Sequence, residues 1–188
     1  MINDLNHYIM RQEKFIPDEL CNKLIKNLDK VEFETHQFYN SYTKTYQTAS
    51  DSQELESTFS DVDGKDDLGK SLWFAIKNYL EYIDMPWFTS WAGYTTIKIN
   101  KYTENKKMAI HCDHIHSIFD GELKGVPTLS VLGFLNDDYD GGELVMFDDQ
   151  VCEVKKGDLL IFPSNFLYPH KVNPVTKGVR YSIVSWVY

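Results

Sequence analysis

Apolar positions follow two different spacings along the 188 residues. In the first ninety or so they recur at helical intervals in two places. After Pro17, with Asp18 and Glu19 in an opening turn where negative charge suits the helix dipole, Leu20, Leu24, Ile25 and Leu28 form one stripe and predict a helix. From about Asp66, the positions Leu68, Leu72, Ile76, Tyr79, Leu80 and Ile83 predict a second. It stops before Pro86, whose ring disfavours helical geometry in the preceding residue. Between the stripes, roughly Glu34 to Lys65 is rich in Thr, Ser, Tyr and Asp and poor in aliphatic residues. It is expected to be a mobile surface segment, or a lid that orders over a substrate with Tyr39, Tyr42 and Tyr46.

From about Tyr94 the spacing shortens. Thr128 to Phe147 reads as an apolar run, a polar turn through Asn136 to Gly142, and a second apolar run, predicting an antiparallel pair with Gly141-Gly142 as its turn. Val151 to Val154, a turn over Lys155 to Asp158, and Leu159 to Phe162 follow, and Val179 to Tyr188 is rich in β-branched and aromatic residues. Short strands at close spacing predict a mainly β fold, a barrel or double-sheet jelly roll, with both helices packed outside. Within the last strand Arg180, Ser182, Val184 and Trp186 share one face, and Val179, Tyr181, Ile183, Ser185 and Val187 share the other. An arginine among apolar residues is costly to bury alone. A bound carboxylate, gripped by two charge-assisted hydrogen bonds, is the natural remedy.

No repeat or shift of composition divides the chain, so residues 1–188 are expected to form one domain. In it, about 1–90 give helical support and about 94–188 carry the jelly roll. A formal charge of −9 and a pI near 5.1 exclude the basic footprint of a nucleic-acid binder. Cys21, Cys112 and Cys152 lack metal-ligand spacing and suit reduced thiols. No signal peptide is apparent, and no run approaches the ~20 apolar residues of a membrane span, so a cytoplasmic protein is expected.

The candidate chemistry centres on His111-Cys112-Asp113, answered further on by His170. Residues two apart on extended backbone project to one face, so His111 and Asp113 can share a metal while Cys112 points away. Two imidazoles and one carboxylate leave three positions of an octahedral iron open, whereas structural zinc takes four closed ligands. His114 and His116 are read as neighbouring surface groups. Asp137, Asp138, Asp140 and Glu143 lack the spacing of a calcium loop and are read as solvated turn acids.

Taken together, His111-x-Asp113, Leu135-Asn136, Gly141-Gly142-Glu143-Leu144, the run from Gly157 to Phe162, Pro169-His170, and Arg180-Tyr181-Ser182-Ile183 with Trp186 resemble the 2-oxoglutarate- and iron(II)-dependent dioxygenases. Within that superfamily they are most similar to the prolyl hydroxylases, including the oxygen-sensing ones. The resemblance covers roughly Tyr94 to Tyr188, and Phe15 to Cys21 with Leu24-Ile25 also looks like the helix that opens many such domains. It implies a double-stranded β-helix, or cupin-like jelly roll, with iron(II) on His111, Asp113 and His170 and the distal carboxylate of 2-oxoglutarate on Arg180. Tyr102 falls near a tyrosine that reaches the cosubstrate in the family, and Trp186 matches a tryptophan near the metal. Phe134 is a departure, because a tyrosine often stands there and helps hold the distal carboxylate. Ser182, on the same face as Arg180, can supply a hydroxyl instead.

The implied reaction consumes 2-oxoglutarate and dioxygen, releases succinate and carbon dioxide, and hydroxylates an unactivated carbon, with ascorbate a candidate accessory. The expected substrate is a prolyl residue in a peptide or protein, bound beneath the segment that carries Tyr39 and Tyr42. The partner expectations are no nucleic acid and no membrane, with the chain a monomer or homodimer. Three alternatives stay open: the same chemistry on a free amino acid or small molecule, a non-enzymatic jelly-roll sensor of a metal or ligand, and a cupin-like zinc or manganese enzyme. The last gives Arg180 no purpose.

Overall fold

The last strand, whose two faces differ so clearly in sequence, is the axis of the molecule. A computed structural model describes residues 4–40, 42–48, 53–85, 91–113 and 127–188. In chain order its elements are β1 (Met10–Gln12), α1 (Asp18–Leu28), β2 (Glu34–Thr35), β3 (Phe38–Asn40), β4 (Thr45–Gln47), β5 (Glu56–Thr58) and α2 (Lys65–Ile83). There follow β6 (Lys98–Tyr102), β7 (Met108–His111), β8 (Leu129–Phe134), β9 (Asp140–Gly141), β10 (Leu144–Met146), β11 (Gln150–Cys152) and β12 (Leu159–Pro163). The chain ends with β13 (His170–Val172), β14 (Val175–Lys177) and β15 (Arg180–Val187). β15 pairs with β8 on one side and β6 on the other, inside a sheet ordered β1-β12-β8-β15-β6-β5-β2. A smaller sheet, β11-β10-β13-β7, faces it, and this mainly β architecture with two helices is the jelly roll expected.

The alternation of each central strand assigns its side chains to two cores. Leu159, Ile161, Ile183 and Val187 point outward into a cluster closed by Leu24 and Leu28 of α1 and by Leu68, Leu72 and Ile76 of α2. Leu160 and Phe162 point the other way, into a cluster between the sheets with Leu144, Met146 and Val172. Both helices therefore lie on the outer face of the large sheet, as their single apolar stripes require. Gly133 permits this contact, because a Cβ there would stand 2.7 Å from Ile183 Cγ1 and 2.9 Å from Leu159 Cδ2. Asp158, buried at the start of β12, ion-pairs with Arg11 at 2.7 Å and accepts from the backbone N–H of Lys14 and Lys155, fastening β1 to the sheet.

Two expectations change. The apolar runs on either side of Asn136 to Gly142 do not pair with each other. β8 joins the large sheet and β10 the small one, so the connection crosses between sheets rather than closing a hairpin. Gly141 is needed for a close approach instead. Its φ is +73°, and a Cβ would lie 2.5 Å from the Pro174 carbonyl oxygen and 2.8 Å from the Thr176 nitrogen. The Glu34 to Lys65 segment, expected to be a mobile surface segment or a lid, contributes β2 and β5 to the edge of the large sheet and the β3–β4 hairpin. Leu55 anchors it as a fully buried member of the core between the sheets. Among the described residues no helix is long and apolar enough to cross a membrane.

Candidate active site

A cavity of about 470 Å³ opens between the two sheets. β15 lines it with Arg180, Ser182, Val184 and Trp186, and β6 with Lys98, Asn100 and Tyr102, the positions of one parity on each strand. β7 and β13 bring the histidines together by register, with His170 directly opposite His111 and ring centroids 4.4 Å apart. Asp113 follows two residues after the end of β7. Its Oδ1 lies 3.5 Å from His111 Nε2, and its Oδ2 lies 3.9 Å from His170 Nε2. One ligand atom from each of the three residues falls within 4.8 Å of the others, a cluster able to hold a metal ion.

The surroundings prepare these groups for a cation. His111 Nδ1 hydrogen-bonds the Ala109 carbonyl at 2.8 Å, and His170 Nδ1 the Tyr168 carbonyl at 3.1 Å. A carbonyl only accepts, so each Nδ1 carries a proton, and Nε2 is the ring atom that faces Asp113 and can give up its own proton to bind a metal. Ser130 donates to Asp113 Oδ2 at 2.6 Å. Burial alone would raise the Asp113 carboxyl, but the His111 hydrogen bond, the charge of both histidines and Ser130 together hold it well below the usual carboxylate range. Burial lowers His170, more than Asp113 raises it. At His111 burial also lowers, but the hydrogen bond and charge of Asp113 outweigh it and the result is a raised value. An ionised carboxylate with oriented imidazoles suits a divalent ion that accepts N and O donors, iron(II) among them.

Further along the same wall, Arg180 is 2% exposed. Its guanidinium lies 4.8 Å from the Tyr102 ring centroid and 5.4 Å from that of Phe134, and Nη1 donates to Ser182 Oγ at 3.0 Å. Among the described residues no carboxylate pairs with it, and its buried Nε has no partner. Trp186 Nε1 and Asn100 Oδ1 are likewise buried without hydrogen-bond partners in this cavity. Buried polar atoms are ordinarily satisfied, so these mark where a ligand's own atoms fit.

The residues inferred from sequence, His111, Asp113, His170, Arg180, Tyr102, Ser182, Phe134 and Trp186, thus converge on one cavity. Tyr42 does not: it is 97% exposed and stands apart from the cavity wall, while Tyr46 lines it. The side chain of Tyr39, and all of His114 and His116, lie outside the described residues. Cys112, expected to pack away from the site, is at the cavity's edge, where its thiol faces the Phe166 carbonyl at 3.5 Å. Sequence reasoning missed His36, Lys98 and Asn100 on the cavity wall. The alternation of Lys98, Asn100 and Tyr102 with Ile97, Ile99 and Lys101 was the signal available for two of them.

Comparison with known proteins agrees with this geometry. Residues 97–188 match the model of the 2OG-Fe(II) oxygenase superfamily. A PKHD-type hydroxylase of Pseudomonas putida strain W619 is 43% identical over 94 residues, covering 47% of this chain and 41% of that protein. The PKHD-type hydroxylase PiuC of Pseudomonas aeruginosa is 39% identical over 93 residues, 46% and 40% of the two chains. The matched region thus spans about two fifths of the length of these curated relatives. Among solved structures, the viral collagen prolyl hydroxylase of Paramecium Bursaria Chlorella virus-1, in complex with 2OG, aligns with a TM-score of 0.68 at 15% identity, covering 96% of this chain and 95% of that one. A Trichoplax adhaerens prolyl hydroxylase, in complex with a hypoxia inducible factor peptide fragment, aligns with a TM-score of 0.69 at 18% identity, covering 99% and 86%. Residues 97–188, which hold the His111, Asp113 and His170 cluster and Arg180, thus match the 2OG-Fe(II) oxygenase superfamily, and the fold of the chain is similar to that of the prolyl hydroxylases.

Proposed function

We propose that this protein hydroxylates a prolyl residue in a peptide or protein, using iron(II), 2-oxoglutarate and dioxygen. The observation that carries this reading is the pairing, in one cavity, of a two-histidine, one-carboxylate cluster with a buried arginine that has no carboxylate partner among the described residues. Bound at His111, Asp113 and His170, iron(II) would supply the oxidising chemistry, in which 2-oxoglutarate loses carbon dioxide to become succinate and one oxygen atom of dioxygen enters the substrate.

The chain's own residues position and exclude. Arg180 grips the distal carboxylate of 2-oxoglutarate through the fork of its guanidinium, including the Nε that has no partner among the described residues. Tyr102 and Phe134 sandwich that guanidinium and keep water from it, and Ser182 fixes its Nη1. Asp113 stays ionised and contributes the negative charge that balances the metal. A prolyl peptide as substrate is supported by the prolyl hydroxylases among the structural neighbours and by the peptide bound to the Trichoplax one. We propose further that residues 1–188 act as one domain, and that Cys21, Cys112 and Cys152, as reduced thiols, suit the cytoplasm.

The test is incubation with iron(II), 2-oxoglutarate and ascorbate, with proline-containing peptides and free proline in separate reactions, followed by mass spectrometry and succinate measurement. Gain of one oxygen on a peptide proline, matched by succinate, is expected. Oxygen gain on free proline alone transfers the chemistry to a small molecule, and 2-oxoglutarate binding with no substrate-stimulated succinate leaves only a binding module.

A further inference from the structure

β6 shows the cavity a second cation. Lys98 is 8% exposed, lines the cavity on the same face as Asn100 and Tyr102, and donates from Nζ to His36 Nδ1 at 3.0 Å. Burial, then the charges of Lys98 and His111, push His36 down to about 4, so at neutral pH the imidazole accepts this bond uncharged. Among the described residues no carboxylate pairs with Lys98. The carboxylates of Asp113 and Glu54 act on this buried ammonium only from a distance, and its direct partner is neutral, so its remaining N–H bonds suit an anionic ligand.

Arg180 is not competing for the same ligand group. Tyr102 pairs in register with Arg180 and Lys98 with Val184, so the two cations attach four residues, or ~13 Å at ~3.3 Å per residue, apart along the sheet. Lys98 therefore belongs to the end of the cavity where Trp186 lies, and Trp186 pairs in register with Ser130, the residue that donates to Asp113. In the function proposed above, the distal carboxylate of 2-oxoglutarate is already engaged by Arg180, at the far end of the cavity from Lys98. The Trp186 indole N–H, on the same wall, is a buried donor that still needs an acceptor.

We propose that Lys98, together with the Trp186 indole N–H, binds a carboxylate of the substrate, so that the preferred substrate carries an acidic group close to the carbon that is hydroxylated. This rests on the oxygenase reading of the cavity and narrows its substrate class. The carboxylate has two available sources, the α-carboxylate of free or C-terminal proline and an acidic side chain beside a prolyl residue within a peptide.

The test is calorimetric titration of the manganese(II) and 2-oxoglutarate complex of the whole chain with two matched pairs of probes. One pair is L-proline and L-prolinamide. The other is an N-acetylated, C-amidated proline peptide with Asp after the proline and the same peptide with Asn. Wild type should bind at least one acid roughly tenfold tighter than its amide, the size of one charge-assisted hydrogen bond. Lys98→Met should lose that preference and Lys98→Arg should keep it, with 2-oxoglutarate titrations showing that each variant is folded. The pair that shows the preference names the source. Equal binding of acid and amide, a preference that survives in Lys98→Met, or no binding by either acid while 2-oxoglutarate binds overturns the proposal. So does a loss of 2-oxoglutarate affinity in Lys98→Met, which would assign the lysine to the cosubstrate. Failure of wild type to bind 2-oxoglutarate overturns the oxygenase reading itself, and this inference falls with it.

Discussion

Arg180 shows how one side chain can be both affordable to bury and ready for a ligand. Two aromatic faces and one hydroxyl stabilise its guanidinium, while Nε stays open. Arg180→Lys keeps the charge but loses the planar fork, so it should retain some turnover with a raised 2-oxoglutarate requirement, whereas Arg180→Ala should be far worse. An unchanged Michaelis constant for 2-oxoglutarate in the alanine variant would remove the arginine from this role. Ser182 already accepts from Arg180, which leaves its own hydroxyl proton for a carboxylate. Ser182→Ala should weaken 2-oxoglutarate binding by ~0.5 to 1.5 kcal/mol, and adding Phe134→Tyr, which restores a phenol beside the guanidinium, should recover part of this. Titration of the four proteins of the cycle with manganese(II) bound would show the non-additivity, and strict additivity would make Ser182 ordinary strand packing. At the metal cluster, His111→Ala or Asp113→Ala should abolish succinate production and metal binding with a native circular dichroism spectrum. The cluster lies at the cavity wall, and none of its members belongs to either apolar core.

At the level of the element, β8 does two jobs because its two faces are so unequal. Phe134 and Leu132 line the cavity, while Gly133 and Val131 sit under the helices. Gly133 is therefore a spacing residue, allowing β12 and β15 side chains to meet over the strand. Gly133→Ala gains ~0.5 to 1 kcal/mol from a stiffer unfolded chain, as is usual when glycine is replaced within a strand. The added methyl must displace Ile183 and Leu159, an overpacking that costs about 1 to 3 kcal/mol and should win. A lower urea midpoint with unchanged slope would verify this, and a higher midpoint would mean that both side chains move aside freely.

For the whole molecule, pH reports how the cavity is closed by elements distant in sequence. His36 follows β2 and reaches Lys98 on β6, and its folded value of about 4 lies below the ordinary 6.5. A depressed value means the unfolded chain binds more protons between those limits. The stability His36 contributes is thus complete above about 6.5 and lost as pH falls toward 4. His170 is lowered as well and acts in the same direction. His111 is raised, so its contribution is complete below its ordinary value and is lost only as pH rises through its folded one. Metal-free protein should accordingly lose stability on acidification from 6.5 to 4, and His36→Gln should flatten that slope. Denaturant titrations at several pH values would decide, an unaltered slope in the variant showing that His36 is solvated in the folded chain.

Much of this molecule was readable from local pattern. The parity of Arg180, Ser182, Val184 and Trp186 named one wall of the cavity, the stripes of α1 and α2 named the faces they bury, and the His111-x-Asp113 spacing named two of the three residues that cluster there. In each case period two or period three to four depends only on neighbouring residues, and it states which face a side chain joins. It does not state which strand lies alongside, because that choice is made between segments far apart in the chain. So the tertiary structure alone decided that β8 and β10 separate into opposite sheets, and that Gly141 serves a crossing rather than a turn. It alone decided that the polar Glu34 to Lys65 stretch becomes sheet edge, where β6 offers backbone partners to strands with little apolar surface of their own. By the same step Lys98 and His36, unremarkable in sequence, came to face the cluster of His111, Asp113 and His170 across one cavity.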